Sequence, residues 1–190
     1  MKNRNSIFLN NYFDKFSSLI DKKFIPKLLN ASSEIKKIKK YKKKIIIAGN
    51  GGSAATSSHF SVDLTKNAKV KAINFNEADL ITCFSNDYGY EKWLEKAIQY
   101  YCEKGDMLIL VSSSGESKNI VNAAKYFKKK KYGKLITYTG HKYKNSLNKI
   151  GDINFWVNSK SYNLIENVHQ FLLLSIVDLI IGKSKYKSNR

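Results

Sequence analysis

The stretch Ile45-Ile46-Ile47-Ala48-Gly49-Asn50-Gly51-Gly52-Ser53-Ala54-Ala55-Thr56-Ser57-Ser58-His59-Phe60-Ser61-Val62-Asp63-Leu64-Thr65 decides the fold. Three successive β-branched residues between a lysine run and a glycine read as a short strand buried on both faces. Gly49-Asn50-Gly51-Gly52 then predicts a tight turn whose bare backbone lets an anion approach closely. A helix is expected from Ser53, with Ser53 as its cap and its first N–H groups facing back onto the loop. Strand, glycine loop and helix N-terminus together outline a phosphate cradle. His59 and Asp63, one turn apart, share a face of that helix and suit a local hydrogen-bonded pair as well as a functional one.

Working outward, the same alternation of apolar strands and helices recurs. Upstream, Ile7, Phe8, Tyr12, Phe13, Phe16, Leu19 and Ile20 have helical spacing over residues 6 to about 30. A second helix is expected over Ile25 to Tyr41, ending in a lysine run read as a solvated helix end. An aromatic-rich helix ahead of the first strand needs a cover, and a partner subunit is the natural one. Downstream, strands are expected at 70–75, 106–111, 135–138 and 153–157. Helices are expected at 79–84, 90–103, 118–130 and 162–181, with a turn at Asn86-Asp87-Tyr88-Gly89. Such alternation means a parallel sheet covered on both faces, with ligands bound at the carboxyl ends of the strands.

A second polar loop, Ser112-Ser113-Ser114-Gly115-Glu116-Ser117, follows the third strand. Four hydroxyls beside a helix N-terminus hold a phosphate monoester without lysine. An ordinary turn capped by Ser114 or Ser117 has the same composition, but pairing with the first loop at a shared strand edge favours the phosphate. Gly49-x-Gly51-x-x-Ala54 also fits a loose dinucleotide fingerprint. The acid that a ribose wants is poorly matched there, since Glu77 and Asp79 follow a strand ending in Asn-Phe-Asn.

The chain has 190 residues, room for one domain with a good core, and a formal net charge of +19. Nearly all the positive charge is lysine, the only arginines being Arg4 and Arg190. Specific DNA reading leans on arginine forks, so no specific nucleic-acid partner is expected. The longest apolar run, Phe171 to Ile181, reads as too short and too polar to span a bilayer, and the N-terminus lacks the apolar core of a signal peptide. Two unpaired cysteines, Cys83 and Cys102, suggest a reduced cytoplasmic protein with no membrane partner. His141, in a lysine-rich loop, reads as a surface residue.

Gly49-Asn50-Gly51-Gly52-Ser53, His59-Phe-x-x-Asp63-Leu-Thr65, Ser85-Asn-Asp-Tyr-Gly89, Ser112-Ser-Ser-Gly-Glu-Ser117 and Ile165-Glu-Asn-Val-His169 occur in an order that resembles the phosphoheptose isomerases of the sugar isomerase (SIS) domain family. The likeness runs through essentially the whole chain. It implies a three-layer αβα sandwich with a flavodoxin-like five-stranded parallel sheet, and a homotetramer built with the N-terminal helices. On this pattern residues 1–43 serve oligomerisation, 44–184 form the core and 185–190 a basic tail. The implied activity is isomerisation of sedoheptulose 7-phosphate, or a related ketose phosphate, to the aldose phosphate for surface-polysaccharide synthesis.

Carried over by position, the resemblance implies that Ser112, Ser113, Ser114 and Ser117 bind the sugar phosphate, and that Asn50, Gly51, Gly52, Ser53, Asn86 and Asp87 contact the sugar. In the isomerases a His and a Glu on the first core helix share a zinc site with a Gln and a His on the last. Here His59 matches the first His, Asp63 stands for the Glu that acts as base, Glu166 for the Gln and Leu174 for the second His. Asn163 likewise replaces an Asp and Asn67 an Arg. The implied metal set is His59, Asp63 and Glu166, holding zinc weakly for want of a fourth ligand. The candidate catalytic set is Asp63, Glu166 and His169, because enediol chemistry needs one group to remove a carbon-bound proton and another to protonate the neighbouring oxygen; His169 also fits the family's own Glu-x-x-His turn, where its role is structural. The alternative is a catalytically silent SIS module that binds a phosphosugar or docks on another protein, in the manner of replication-initiator-associating relatives. A nucleic-acid-associated protein driven by its lysines is a third reading.

Overall fold

In the computed structural model, which describes residues 2–184, five parallel strands form one sheet in the order β2-β1-β3-β4-β5. The strands are β1 (Ile45–Gly49), β2 (Ala72–Asn74), β3 (Met107–Ser112), β4 (Leu135–Thr139) and β5 (Ile153–Trp156). The helices are α1 (Lys2–Leu19), α2 (Ile25–Lys40), α3 (Gly52–Lys66), α4 (Ala78–Tyr88), α5 (Trp93–Tyr101), α6 (Lys118–Lys129) and α7 (Tyr162–Ile181). The order 2-1-3-4-5 is the flavodoxin-like doubly wound topology, as expected.

Alternation along each strand builds the two cores. Ile45 and Ile47 of β1 and Met107, Ile109 and Val111 of β3 point into one layer, with α2, α3 and α7. Ile46, Ala48, Leu108 and Leu110 point into the other, against α5 and α6. Both faces are covered, so all five residues of β1 and all six of β3 are buried, which is why their sequences are continuous apolar runs. The register sets Gly49 beside Val111 and Ser112 beside Thr139. The glycine loop and the serine loop therefore emerge side by side at one sheet edge.

Several boundaries differ from the sequence expectations, each for a local reason. The helical spacing read over residues 6 to about 30 holds only as far as Leu19, and the second helix starts at Ile25, as expected. Asp21 accepts a hydrogen bond from the Lys23 N–H at the start of a short 3-10 turn, and Pro26 suits the first turn of α2, where its missing N–H costs nothing. α4 extends through Asn86-Asp87-Tyr88, expected to be a turn, and stops at Gly89, whose φ of +83° ends the helix. Asn86 and Asp87 thus lie on a helix.

α2 belongs to the core, with Ala31, Ser32, Ile35 and Ile38 buried. α1 touches the core only through the partly buried Phe16 and Leu19, followed by Ile20. Tyr12 is half-buried, and four apolar side chains are exposed: Ile7 by 53%, Phe8 by 65%, Leu9 by 49% and Phe13 by 61%. α7 has 20 residues and a mean hydropathy of 1.7, long and apolar enough by length and composition to cross a membrane. It lies in the first core layer, where Leu164, Ile165, Val168, Leu172, Leu173, Ile176 and Val177 are buried. The basic tail expected at 185–190 lies outside the described residues.

Candidate functional site

Asn50, Ser53, Ser112, Ser113, Ser114, Ser117, Tyr162 and Glu166 enclose a cavity of about 150 Å³ at the carboxyl ends of β1 and β3. The first loop reaches it by a turn that only glycine permits. A Cβ at Gly49 would sit 2.7 Å from the backbone of Ser53, and Gly51, with φ +54°, occupies the cap position of α3. Ser53 is therefore not the cap. It lies inside the first turn, buried, with its side chain on the cavity wall. A Cβ at Gly52 would run into the Glu166 carboxylate, so this glycine leaves room for Glu166 over the N-terminus of α3. That end of a helix carries partial positive charge and favours a carboxylate or a phosphate.

The serine loop is held by its own hydrogen bonds. The Gly115 N–H donates to the Ser112 carbonyl and hydroxyl, and the Glu116 N–H to the Ser114 hydroxyl. Ser117 occupies the cap position of α6 without a capping bond from its side chain, so its hydroxyl turns toward Ser112, 3.4 Å away. From outside, the Ser146 N–H and hydroxyl both donate to Glu116, holding its carboxyl below the usual range. The Ser113 hydroxyl lies 3.4 Å from Glu166 Oε1 and donates to it.

Asn50 is committed to a structural partner. Its Nδ2 donates to Asn119 Oδ1 at 3.0 Å, and Asn119 Nδ2 donates back at 2.9 Å. Tyr90 adds a third bond, its hydroxyl 3.3 Å from Asn50 Oδ1. Asn119 and Tyr90 were not singled out by sequence, and neither was Tyr162. Nothing in their local spacing marks them, because they come from three separate parts of the chain, Tyr90 from the segment before α5, Asn119 from α6 and Tyr162 from the start of α7.

The expected metal set does not assemble. His59 Nε2 stands 3.6 Å from Asp63 Oδ2, and Asp63 also accepts a hydrogen bond from Asn67 at 3.1 Å. Gln170, one turn beyond Glu166 on α7, is the side chain that approaches His59, at 3.4 Å. Glu166 turns to Ser113 and Gly52 instead. Among the described residues, no three His, Cys, Asp or Glu side chains gather as metal ligands.

His169, read either as a catalytic group or as a structural one, is fully buried behind β4, edge-on to Tyr138, with its Nε2 3.1 Å from the Thr139 carbonyl. A carbonyl only accepts, so Nε2 carries the proton and donates. Burial lowers the imidazole pKa to about 4, which keeps the ring neutral. Its place on the inward face of α7 follows from the helical spacing Ile165-Val168-Leu172, and it does not line the serine-rich cavity. Asn86 and Asp87 also fall outside the cavity lining: both are exposed on the last turn of α4, bonded to each other at 2.9 Å. Leu174 lies half-buried on α7, two turns beyond Glu166.

Comparison with known proteins agrees with this architecture. The family model of the SIS domain matches residues 11–140. A phosphoheptose isomerase of Buchnera aphidicola is 35% identical over 176 residues, covering 90% of each chain. The phosphoheptose isomerase of Aliarcobacter butzleri is 33% identical over 143 residues, covering 72% of this chain and 75% of its own. Among solved structures, phosphoheptose isomerase GmhA from Neisseria gonorrhoeae superposes with a TM-score of 0.87 at 22% identity, over 96% of this chain and 100% of that one. A phosphoheptose isomerase from Francisella tularensis gives 0.83 at 24% identity, over 92% and 97%. The chain belongs to the SIS domain family, alongside the phosphoheptose isomerases.

Proposed function

We infer that this chain is a phosphosugar isomerase of the phosphoheptose isomerase type, interconverting sedoheptulose 7-phosphate and its aldose phosphate through an enediol. The observation that carries the reading is the serine-lined cavity with one carboxylate inside it, in a chain that aligns with phosphoheptose isomerases over nearly its whole length. The hydroxyls of Ser112, Ser114 and Ser117 bind the phosphate beside the N-terminus of α6. Glu166 is the proton carrier between carbons: it takes the proton from the carbon next to the carbonyl and returns it to the former carbonyl carbon, while the proton that the carbonyl oxygen gains is the one the neighbouring hydroxyl loses, passed between the two oxygens through solvent. The Ser113 hydroxyl, which donates to Glu166, fixes the orientation of that carboxylate. Asp63, paired with His59, is a weaker candidate for the base because its carboxylate is already held by His59 and Asn67. No step here runs through a metal.

The reading extends to a cytoplasmic enzyme that supplies surface-polysaccharide precursors and works as a homotetramer. The exposed apolar side chains of α1 support the assembly. A second reading, a SIS module that binds a phosphosugar without turning it over, is favoured by the burial of His169 and by the scattered metal donors.

Proton NMR of sedoheptulose 7-phosphate in heavy water separates the two. The isomerase is expected to introduce deuterium beside the carbonyl and to yield the aldose phosphate. Glu166→Gln is expected to slow this by about 10²–10⁴-fold while the sugar phosphate still binds. Binding by the parent chain without any exchange would establish the silent module instead. A parallel run with chelator shows whether turnover depends on a metal.

A further inference from the structure

His141 lies behind Tyr162, a wall residue of the same cavity, although its sequence context reads as surface. Three features coincide there. Its backbone is left-handed, with φ +51°, a conformation it shares with Lys42, Lys69 and Lys131. Its ring packs 4.8 Å from that of Tyr162, which lines the cavity. Its Nε2 is shielded from solvent and has no hydrogen-bond partner among the described residues.

The local backbone explains how the ring is held there. The Gly140 N–H donates to the Ser113 carbonyl at 2.9 Å, and the His141 N–H to the Ser159 carbonyl at 2.9 Å. The corner at 140–141 is thus tied both to the phosphate loop and to the segment leading into α7. A sparsely populated backbone conformation and an unpaired buried polar atom persist only where the surroundings enforce them, and such features collect at ligand sites. Tyr162 covers the imidazole but is itself 56% exposed and opens α7, so a change of its rotamer meets little resistance.

We propose that His141 is a sugar-contacting residue of the serine-lined cavity, its Nε2 hydrogen-bonding a ligand hydroxyl once Tyr162 swings aside. The role rests on the phosphosugar reading above and adds a specificity contact that the serines, committed to the phosphate, do not provide. Neither of the other histidines can supply it: His169 is locked in the core and His59 is one turn or more away along α3, beside Gln170.

The test compares the parent chain with His141→Asn, which tolerates the left-handed backbone but is too short to reach the ligand. Calorimetric titration with sedoheptulose 7-phosphate and with inorganic phosphate is expected to show about tenfold weaker sugar-phosphate binding in the variant. Inorganic phosphate should bind both proteins equally. Unchanged sugar-phosphate affinity, or an equal loss for both ligands, overturns the proposal. Nitrogen NMR of the histidine-labelled parent protein supplies a readout independent of any variant's folding. The resonance of His141 Nε2 should move with sugar phosphate and stay fixed with inorganic phosphate; a fixed resonance with bound sugar overturns this role alone. If the parent chain binds inorganic phosphate but no sugar phosphate, the phosphosugar reading fails and this role falls with it.

Discussion

The three histidines show how far burial, rather than residue type, sets chemistry. His59 is half-exposed beside Asp63, His141 lies behind Tyr162, and His169 is sealed in the core. Burial holds the His169 pKa at about 4, against 6.5 for an ordinary histidine. Above pH 6.5 the ring is neutral whether the chain is folded or not, and folding gains nothing from pH. Below it the unfolded chain takes up a proton that the buried ring refuses until about pH 4, so stability falls as pH falls through that window. The full difference is about 3 kcal/mol, at about 1.36 kcal/mol per pH unit. His169→Gln, which keeps a donor for the Thr139 carbonyl, should flatten this part of the profile. Urea midpoints measured at pH 4 to 7 check it: a variant as acid-sensitive as the parent would show that His169 is not the group responsible. Sequence spacing alone could not tell a buried imidazole from a catalytic one, because Ile165-Glu166-Asn167-Val168-His169 reads the same in either case.

At the scale of elements, the pairing of β1 with β3 makes the site. Gly49 beside Val111 fixes the two loops next to each other, and α3 starts so soon after β1 that the turn has no room for a side chain. Gly49→Ala would press a methyl against the backbone of Ser53 at 2.7 Å. The backbone cannot yield as a flexible side-chain end can, so a loss of about 1–3 kcal/mol is expected. Thermal unfolding should show a lower midpoint and phosphate titration weaker binding. A variant that keeps both would mean that α3 can shift along the sheet. The strand and helix periods were plain in the sequence for β1, β3, β4, α6 and α7, since continuous apolar runs and helical stripes are local signals. The end of α1 at Leu19 and the helical state of Asn86-Asp87-Tyr88 were not. A helix ends where capping and packing decide, and Asn and Asp suit turns and helix ends alike.

At the scale of the whole molecule, α1 is the element the single chain leaves incomplete. Its inner residues reach the core while Ile7, Phe8, Leu9 and Phe13 face outward. The double change Phe8→Glu with Phe13→Glu places charge on that face without touching the sheet. Sedimentation should show the assembly falling to smaller species, with circular dichroism retained. An unchanged mass would mean that the assembly uses another surface. The net charge of +19 is spread over lysines with no arginine cluster among them, a distribution that favours nonspecific, salt-sensitive attraction to polyanions over a reading surface.

The fold class, the doubly wound sheet and the two polar loops at the strand ends were all legible in the residues read along the chain. These depend on period, on glycine and on β-branched runs, all of which act within a few residues of each other. The tertiary structure alone decided which side chains share the cavity: Tyr162 and Glu166 join the serines, and Asn119 and Tyr90 brace Asn50 beside it. It also turned His169 into the core, withdrew Asn86 and Asp87 from the cavity and kept Glu166 apart from His59 and Asp63. Those outcomes depend on strand register and on the rotation of α7 about its axis, which are set by packing between residues about a hundred positions apart in the chain, as the contact of His59 with Gln170 across 111 positions shows.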